Sequence, residues 1–437
     1  MTGNALDPML VAHYRDRPTG AEAWLVVDTF LHGVAGGGIR MAPDVTETLM
    51  KHLAATMSVK LGILQPPCGG AKCGIRYDPK APDSKEVLGR VVRAFAPFLQ
   101  TCWVTGSDLG TDWHDVVTAC REQAGIPHPQ FALMKAYGGQ RSNAVEEGIL
   151  RLTQGTSFLI DELTGLRMSD AVTGWTVCAA TEEALTIAGE SLAGKRIALQ
   201  GFGAVGGSAA KFLAERGAVV ASVSDEAGAI VAQSGQGLDV QELLKLRVPP
   251  GRKVVDRARL TASPNRYELA GRDDLLYLPV DVLIPAAGSY IPVDISRVQA
   301  RWIVEAANDP FTVEEEESLH RRGITVVPDA IANSGSAGLY GLLVAGQLPI
   351  TDSELFKFLS TQVRTMTRTV LAKPSVAPRT VLEEVARAQI HAHIKAGHAY
   401  VPNELGEKDL KKMNSDNLSV RYRATNPYAD LQVSGVS

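Results

Sequence analysis

Apolar positions change their period several times along the 437 residues. Ala23-Trp24-Leu25-Val26-Val27 is a continuous apolar run of strand length, and Gly36-Gly37-Gly38 breaks the chain behind it. Leu49, Leu53, Ala54 and Met57 then recur at helical spacing, which predicts a helix reaching Val59 and delivering Lys60 at its C-terminal end. A further helix is expected over 90–99. Trp103-Val104-Thr105 reads as a short strand that ends at a loop carrying Asp108.

The pattern changes character near residue 170. Residues 173–188 are helical and rich in Ala, Thr and Glu, and Lys195 to Gln200 form a short apolar strand. A glycine turn, a helix over 204–216, a stop at Gly217 and a second strand over 218–223 follow, closing on Ser224-Asp225. Strand, turn, helix, strand and terminal acid in about thirty residues is the order of a βαβ unit. Three later strands, over 280–284, 302–305 and 324–327, alternate with helical or irregular pieces, as an open parallel sheet requires.

Beyond Gly338 the chain turns helical again, with Leu339, Leu342 and Leu343, then Leu355, Phe358 and Leu359, on one face. Pro374 and Pro378 separate that region from a helix over 380–395. The last 35 residues are polar and weakly patterned, and are expected to be extended or partly disordered. The chain exceeds what one core usually supports, so domains are expected at 1–169, 170–340 and 341–437, the last packing back on the first.

Composition narrows the function. The net charge is −4 with no long basic run, which disfavours a nucleic-acid partner. No window holds the roughly 18 uninterrupted apolar residues of a membrane span, and the N-terminus shows no secretory signal. Cys68, Cys73, Cys102, Cys120 and Cys178 are odd in number and scattered, which argues for buried thiols rather than disulfides. Cys68 and Cys73 have no second Cys/His pair to complete a zinc site, so no metal is expected. A cytoplasmic location is expected.

Gly201-Phe202-Gly203-Ala204-Val205-Gly206 gains its meaning from the strand before it, the helix after it, and Asp225 nineteen residues past the last glycine. Gly201 suits a tight turn, Gly203 a close approach to a pyrophosphate, and Gly206 tight helix–sheet packing, with the helix N-terminus facing the phosphates. Asp225 is expected to accept from the adenosine ribose hydroxyls, which favours NAD and leaves NADP open. Ala286-Ala287 and Asn308 follow later strand ends, where ligands of such sheets sit, and Asn308 suits a carboxamide.

The first quarter holds two lysines twelve residues apart, Lys60 and Lys72, the second behind Cys68-Gly69-Gly70-Ala71. A lysine works as a base near neutral pH only when burial or a neighbouring cation lowers its pKa. If they face one pocket, Lys60 and Lys72 supply that effect to each other. Asp108 is placed to carry protons to and from an amine.

Gly37-Gly38-Ile39-Arg40-Met41, Lys60, Gly69-Gly70-Ala71-Lys72, Ser107-Asp108-Leu109-Gly110-Thr111, Thr173-Gly174-Trp175-Thr176-Val177, the glycine turn, Pro285-Ala286-Ala287 and Pro328-Asp329-Ala330-Ile331-Ala332-Asn333 occur in one order. In that order the chain resembles the glutamate/leucine/phenylalanine/valine dehydrogenase family. The resemblance implies an α/β fold of two domains: an N-terminal α/β substrate domain and a doubly wound Rossmann-type dinucleotide-binding domain, with a C-terminal helical return. It also implies reversible oxidative deamination of an L-amino acid to a 2-oxo acid and ammonia, in a homo-oligomer. By the same resemblance Lys72 activates water, Lys60 holds the α-carboxylate beside Gly37 and Gly38, and Asp108 shuttles protons at nitrogen. Thr173 and Asn333 would line the nicotinamide end.

Departures bear on specificity. Glutamate-specific members carry a lysine where this chain has Gly36, and a serine about where it has Tyr340. Both partners of a side-chain carboxylate are missing, so an apolar or aromatic substrate is expected, with Gly36 leaving room and Tyr340 reclaiming part of it. Cys68 and Thr176 also depart from the pattern. The alternatives are a glutamate dehydrogenase that recruits another cation such as Arg40, and a catalytically silent NAD-binding regulatory protein.

Overall fold

The computed structural model describes residues 7–139, 142–233, 235–248, 254–260, 267–288, 291, 293–346, 348–400, 402, 410 and 413–423. It forms two compact units. One comprises Met1–Leu152, Gly341–Gln347 and Glu383–Ser437, the other Thr153–Tyr340 and Leu348–Leu382.

The first unit is built on a seven-stranded mixed sheet. Leu10–Arg15 pairs antiparallel with Glu22–Val27, which pairs antiparallel with Gly69–Arg76. Beyond Gly69–Arg76 the pairing is parallel, with Ala35–Gly36 and Ile39–Met41 beside it and Trp103–Val104 next to Ala35–Gly36. Period-two alternation sorts the side chains into two layers. Ala71, Cys73 and Ile75 join Leu25, Val27, Phe95, Phe98 and Trp103 in the larger core, while Trp24, Val26, Val45, Met50 and Leu53 form a second core on the opposite face. Each fully buried aromatic contributes roughly 1.5–3 kcal/mol. By the same alternation Gly70, Lys72 and Gly74 face the helix Glu47–Gly62, whose Met50 sulfur would lie 2.3 Å from a Cβ at Gly74. Small residues on either side of Lys72 are what let that helix lie against the strand.

The second unit carries another seven-stranded sheet, in the order Tyr267–Ala270, Gly228–Ala232, Val219–Asp225, Arg196–Gln200, Val282–Pro285, Trp302–Val304, Thr325–Val327. The last five are parallel, and the first two extend the sheet antiparallel. The chain leaves the central strand Arg196–Gln200 first to one side and later to the other, so its C-terminal end is the switch point of a doubly wound sheet. The glycine turn sits there.

Several sequence expectations shift. The 90–99 helix is two helices, Ser84–Ala94 and Ala96–Thr101, divided at Phe95. The first strand, Leu10–Arg15, has no sequence forecast. The division between units falls after Leu152 rather than 169, and 348–382 goes with the second unit. One reason is the ion pair between Asp161 and Lys211, 2.6 Å, which ties the 159–167 hairpin to the helix Ala204–Glu215. Within the final segment, Leu418–Tyr422 is a regular strand antiparallel to Leu10–Arg15. The expectation of disorder for the rest of that tail falls mostly outside the described residues. No described helix is long and apolar enough to cross a membrane.

Candidate functional site

In the first unit three side chains meet. Lys72 Nζ lies 2.8 Å from Asp108 Oδ2, and Arg40 Nε donates to the same oxygen at 3.1 Å. Strand pairing sets this up: Arg40 stands opposite Gly74 in the parallel pair, and the Asp108 loop joins the sheet through an Ile39–Ser107 bridge. Thr111 locks the loop, its hydroxyl donating to the Ile39 carbonyl at 2.7 Å and accepting the Asp108 N–H at 3.0 Å. Gly37 permits the approach, because a Cβ there would lie 1.6 Å from the Ala71 carbonyl oxygen. At Gly38 a Cβ would come within 3.3 Å of the Asp108 Cβ.

Burial by itself would raise the Asp108 carboxyl, but the charges of Lys72 and Arg40 overturn that and hold it down at about 2. Asp108 is therefore ionised across the neutral range. Lys72 shares this carboxylate with Arg40. Lys60 is buried in the last turn of the helix Glu47–Gly62. That helix runs against the Lys72 strand, where a Cβ at Gly70 would lie 2.1 Å from the Ser58 nitrogen.

The space beside Gly36 is filled. A Cβ there would meet Leu61 at 2.9 Å, Val104 at 3.1 Å and Cys68 at 3.5 Å. Glycine at this position does not open a larger pocket, because Leu61 and Val104 close over it, and the surroundings are apolar. Tyr340 belongs to the second unit, where burial and the charge of Asp170 raise its hydroxyl pKa. All five cysteines are free and buried, and burial alone pushes the Cys68 thiol up to about 12.

In the second unit, Gly201 adopts φ +93°, which favours glycine. A Cβ at Gly201 would touch Ala287 at 2.7 Å, and one at Gly206 would lie 1.9 Å from the Gly201 carbonyl oxygen and 3.4 Å from Ala286. The turn and the Ala286-Ala287 loop are thus in contact. Gly203 faces open space, and no side chain caps the helix that begins at Ala204 and continues through Val205. Among the described residues no side chain takes its first N–H groups, which suits them to an anion. The Phe202 ring is buried, so only its backbone remains for a ligand.

The other end of this site assembles from three segments. Thr173 Oγ1 lies 2.8 Å from Ser336 Oγ, and Asn333 Nδ2 donates to Asn308 Oδ1 at 3.0 Å. Gly174 lets the helix Met168–Ile187 press on the helix Ala204–Glu215, where a Cβ would lie 2.1 Å from Ser208 Oγ. Ser336 was not foreseen; its place three residues after Asn333, in the first turn of the helix Gly335–Ala345, is the signal that could have found it.

Asp225 differs most from expectation. Its two oxygens accept from the Ala227 and Val255 N–H groups, both at 2.9 Å, and from Arg257 Nη2 at 2.7 Å. The acid is committed to protein donors and neutralised by Arg257, so its presumed repulsion of a 2′-phosphate is offset. A short strand end at Val255 and the start of the helix Arg257–Leu260, 30 and 32 residues downstream, supply the partners, which no local pattern announces.

The model of the Glutamate/Leucine/Phenylalanine/Valine dehydrogenase family matches residues 165–399, and that of the Glu/Leu/Phe/Val dehydrogenase dimerisation domain matches 12–124. The chain belongs to this family. It is an NAD(P)-dependent amino-acid dehydrogenase, an oxidoreductase acting on CH–NH2 donors. A glutamate dehydrogenase of Thermotoga maritima is 34% identical over 306 residues, 69% of this chain and 67% of its own. One from Aeropyrum pernix is 32% identical over 343 residues, 77% and 75% of the two chains. An NADP-specific glutamate dehydrogenase A1 of Halobacterium salinarum is 33% identical over 303 residues, 68% and 66%. In fold, the chain is similar to the hetero-hexameric glutamate dehydrogenase of Thermus thermophilus in its leucine-bound form, with TM-score 0.66, 23% identity and 90% of each chain covered.

Proposed function

We propose that this dehydrogenase reversibly deaminates an L-amino acid to its 2-oxo acid and ammonia, with Lys72 and Asp108 as its catalytic groups. The buried contact between Lys72 and Asp108, with Arg40 on the same oxygen, is the observation that carries this. A bound nicotinamide supplies the hydride acceptor. The residues present fit such a group: the uncapped helix start and open Gly203 suit the pyrophosphate, and Thr173, Asn308 and Asn333 suit the carboxamide end. Lys60 holds the substrate α-carboxylate. Lys72 positions and deprotonates the water that attacks the imino carbon. With Lys72 in its neutral form the strongest charge holding the Asp108 carboxyl down is absent, which lets Asp108 accept a proton from the amine, and Lys72 regains its charge on taking the proton of the attacking water. A silent regulatory protein would not need this pairing.

For the substrate, the relatives named glutamate dehydrogenase favour glutamate over the apolar or aromatic amino acid expected from Gly36 and Tyr340. The apolar second reading keeps one specific support, the Leu61, Val104 and Cys68 side chains around Gly36. Arg40, the cation named for a distal carboxylate, already spends its Nε on Asp108. For the cofactor, the Asp225–Arg257 pair supports use of both NAD and NADP. The match of 12–124 to a dimerisation domain supports a homo-oligomer. The test is a panel of 2-oxoglutarate and branched and aryl 2-oxo acids, assayed at high ammonia with NADH and NADPH. Ammonia-dependent cofactor oxidation with 2-oxoglutarate supports glutamate, and its confinement to apolar oxo acids supports the second reading. No such oxidation with any oxo acid defeats the assigned chemistry.

A further inference from the structure

Away from these residues the first unit brings three histidines together. His32, His393 and His398 each offer a ring nitrogen, all within 4.8 Å of one another. Two backbone devices place them. The helix containing His393 ends in a glycine turn, with Gly397 at φ +74°. There the Gly397 N–H donates to the Ile394 carbonyl and the His398 N–H to the His393 carbonyl. That is the Schellman pattern, which folds side chains five residues apart onto each other, and it leaves His393 Nδ1 and His398 Nδ1 3.3 Å apart.

His32 comes from a two-residue hairpin turn between Leu31 and Val34, which exchange both backbone hydrogen bonds. Its central residues are both left-handed, His32 at φ +52° and Gly33 at +74°. Glycine makes such a turn at a lower backbone cost than a histidine does. Strain of this kind persists where the surroundings enforce it, often at ligand clamps. Here the His32 N–H donates to the His398 carbonyl at 2.6 Å. The His32 ring centroid lies 4.7 Å from that of His398 and 5.6 Å from that of His393.

We propose that His32, His393 and His398 form a binding site for a divalent transition-metal cation of the zinc class. Tetrahedral zinc with bonds of about 2.0–2.1 Å separates its ligand nitrogens by about 3.3–3.4 Å. The His393–His398 pair already has that spacing, and His32 needs only to close in. An all-imidazole donor set selects zinc, cobalt, nickel or copper over magnesium and calcium. Three protein ligands leave the fourth position to water.

The site lies at the root of the substrate strands. Val34 is followed directly by Ala35–Gly36 and accepts the Gly69 N–H at 3.1 Å. Tyr137, whose ring centroid is 5.7 Å from that of His32, donates its hydroxyl to the Pro67 carbonyl at 2.5 Å. A cation held here would clamp the end of the helix Pro378–Lys395 to the segments leading into Gly36–Gly38 and Cys68–Lys72.

The experiment uses the full chain without an affinity tag, stripped with a chelator and titrated with Zn2+ alone by calorimetry, then with Co2+ followed by absorption. We expect one equivalent per chain at micromolar affinity or tighter, a four-coordinate Co2+ spectrum, a raised thermal midpoint, and no effect of Mg2+. His398→Ala and His32→Gly should each weaken Zn2+ at least about tenfold, since even a group that only orients a ligand is worth that much. His32→Gly also relieves the turn, so without metal its thermal midpoint should match or exceed that of the parent while the Zn2+-induced rise is lost. Absence of stoichiometric Zn2+ binding up to millimolar concentration would overturn the site. So would undiminished binding in both variants.

Discussion

Replacing Asp108 by Asn tests the charge arrangement directly. The carboxyl is held near 2 against an ordinary 3.8, and that displacement corresponds to roughly 2 kcal/mol favouring the ionised form. The amide also leaves Lys72 and Arg40, with side chains only 10% and 11% exposed, without their shared anion. Removing one partner of a buried ionic group costs about 3–5 kcal/mol, so that is the expected loss, read from the urea midpoint at pH 7. Lys72→Met should cost less, because Arg40 still pairs with Asp108. The pH dependence follows from a depressed acid: its stabilisation is present above the unfolded value of about 3.9 and fades as pH falls through the folded value. The difference between parent and Asp108→Asn should therefore be flat from neutral pH down to about 4.5 and shrink only below. A difference that collapsed between pH 5 and 6 would refute the reasoning, as would Lys72→Met proving more destabilising than Asp108→Asn.

Three further outcomes are expected. Lys72→Ala should abolish ammonia-dependent cofactor oxidation while NAD(P) affinity, measured by fluorescence titration, stays near the parent value; retained turnover rejects the assigned base. Arg257→Ala frees the Asp225 charge and should shift kcat/KM toward NADH and away from NADPH, an unchanged ratio meaning that the pair does not contact the ribose end. In the second unit, Arg379 is buried against Glu316 at 2.5 Å, Glu305 at 2.7 Å and Asp329 at 3.0 Å. Arg379→Met should cost about 3–5 kcal/mol by denaturant titration, and a loss below about 1 would show that these acids are already neutral. Burial raises Glu316 to about 7 despite Arg379, and raises Glu305 as well. An acid raised on folding stabilises below its unfolded value and loses that as pH rises through the folded one. The thermal midpoint should therefore fall as pH rises from about 5 to about 7.5, with a shallower fall in Glu316→Gln.

Much of this molecule is readable along the chain, because the readable parts depend on neighbours in sequence. The glycine turn at 201–206, its flanking strand and helix, and Asp225 at the end of the next strand follow from local periodicity and from one-residue demands such as the positive φ of Gly201. Lys72 and Asp108 were likewise legible as types in suggestive settings. What those groups touch was decided by strand order. Arg40 reaches Asp108 because Ile39–Met41 pairs parallel with Gly69–Arg76, and Lys72 faces the helix Glu47–Gly62 because alternation leaves Ala71 and Cys73 to the other layer. Arg257 on Asp225, Leu61 over Gly36, and the meeting of His32 with His393 and His398 all join segments far apart in sequence. Periodicity records which side of an element is buried, and not which distant side chain arrives there. Charge pairing and cavity filling therefore belong to the folded chain, and they decide whether an acid binds a ribose or a guanidinium.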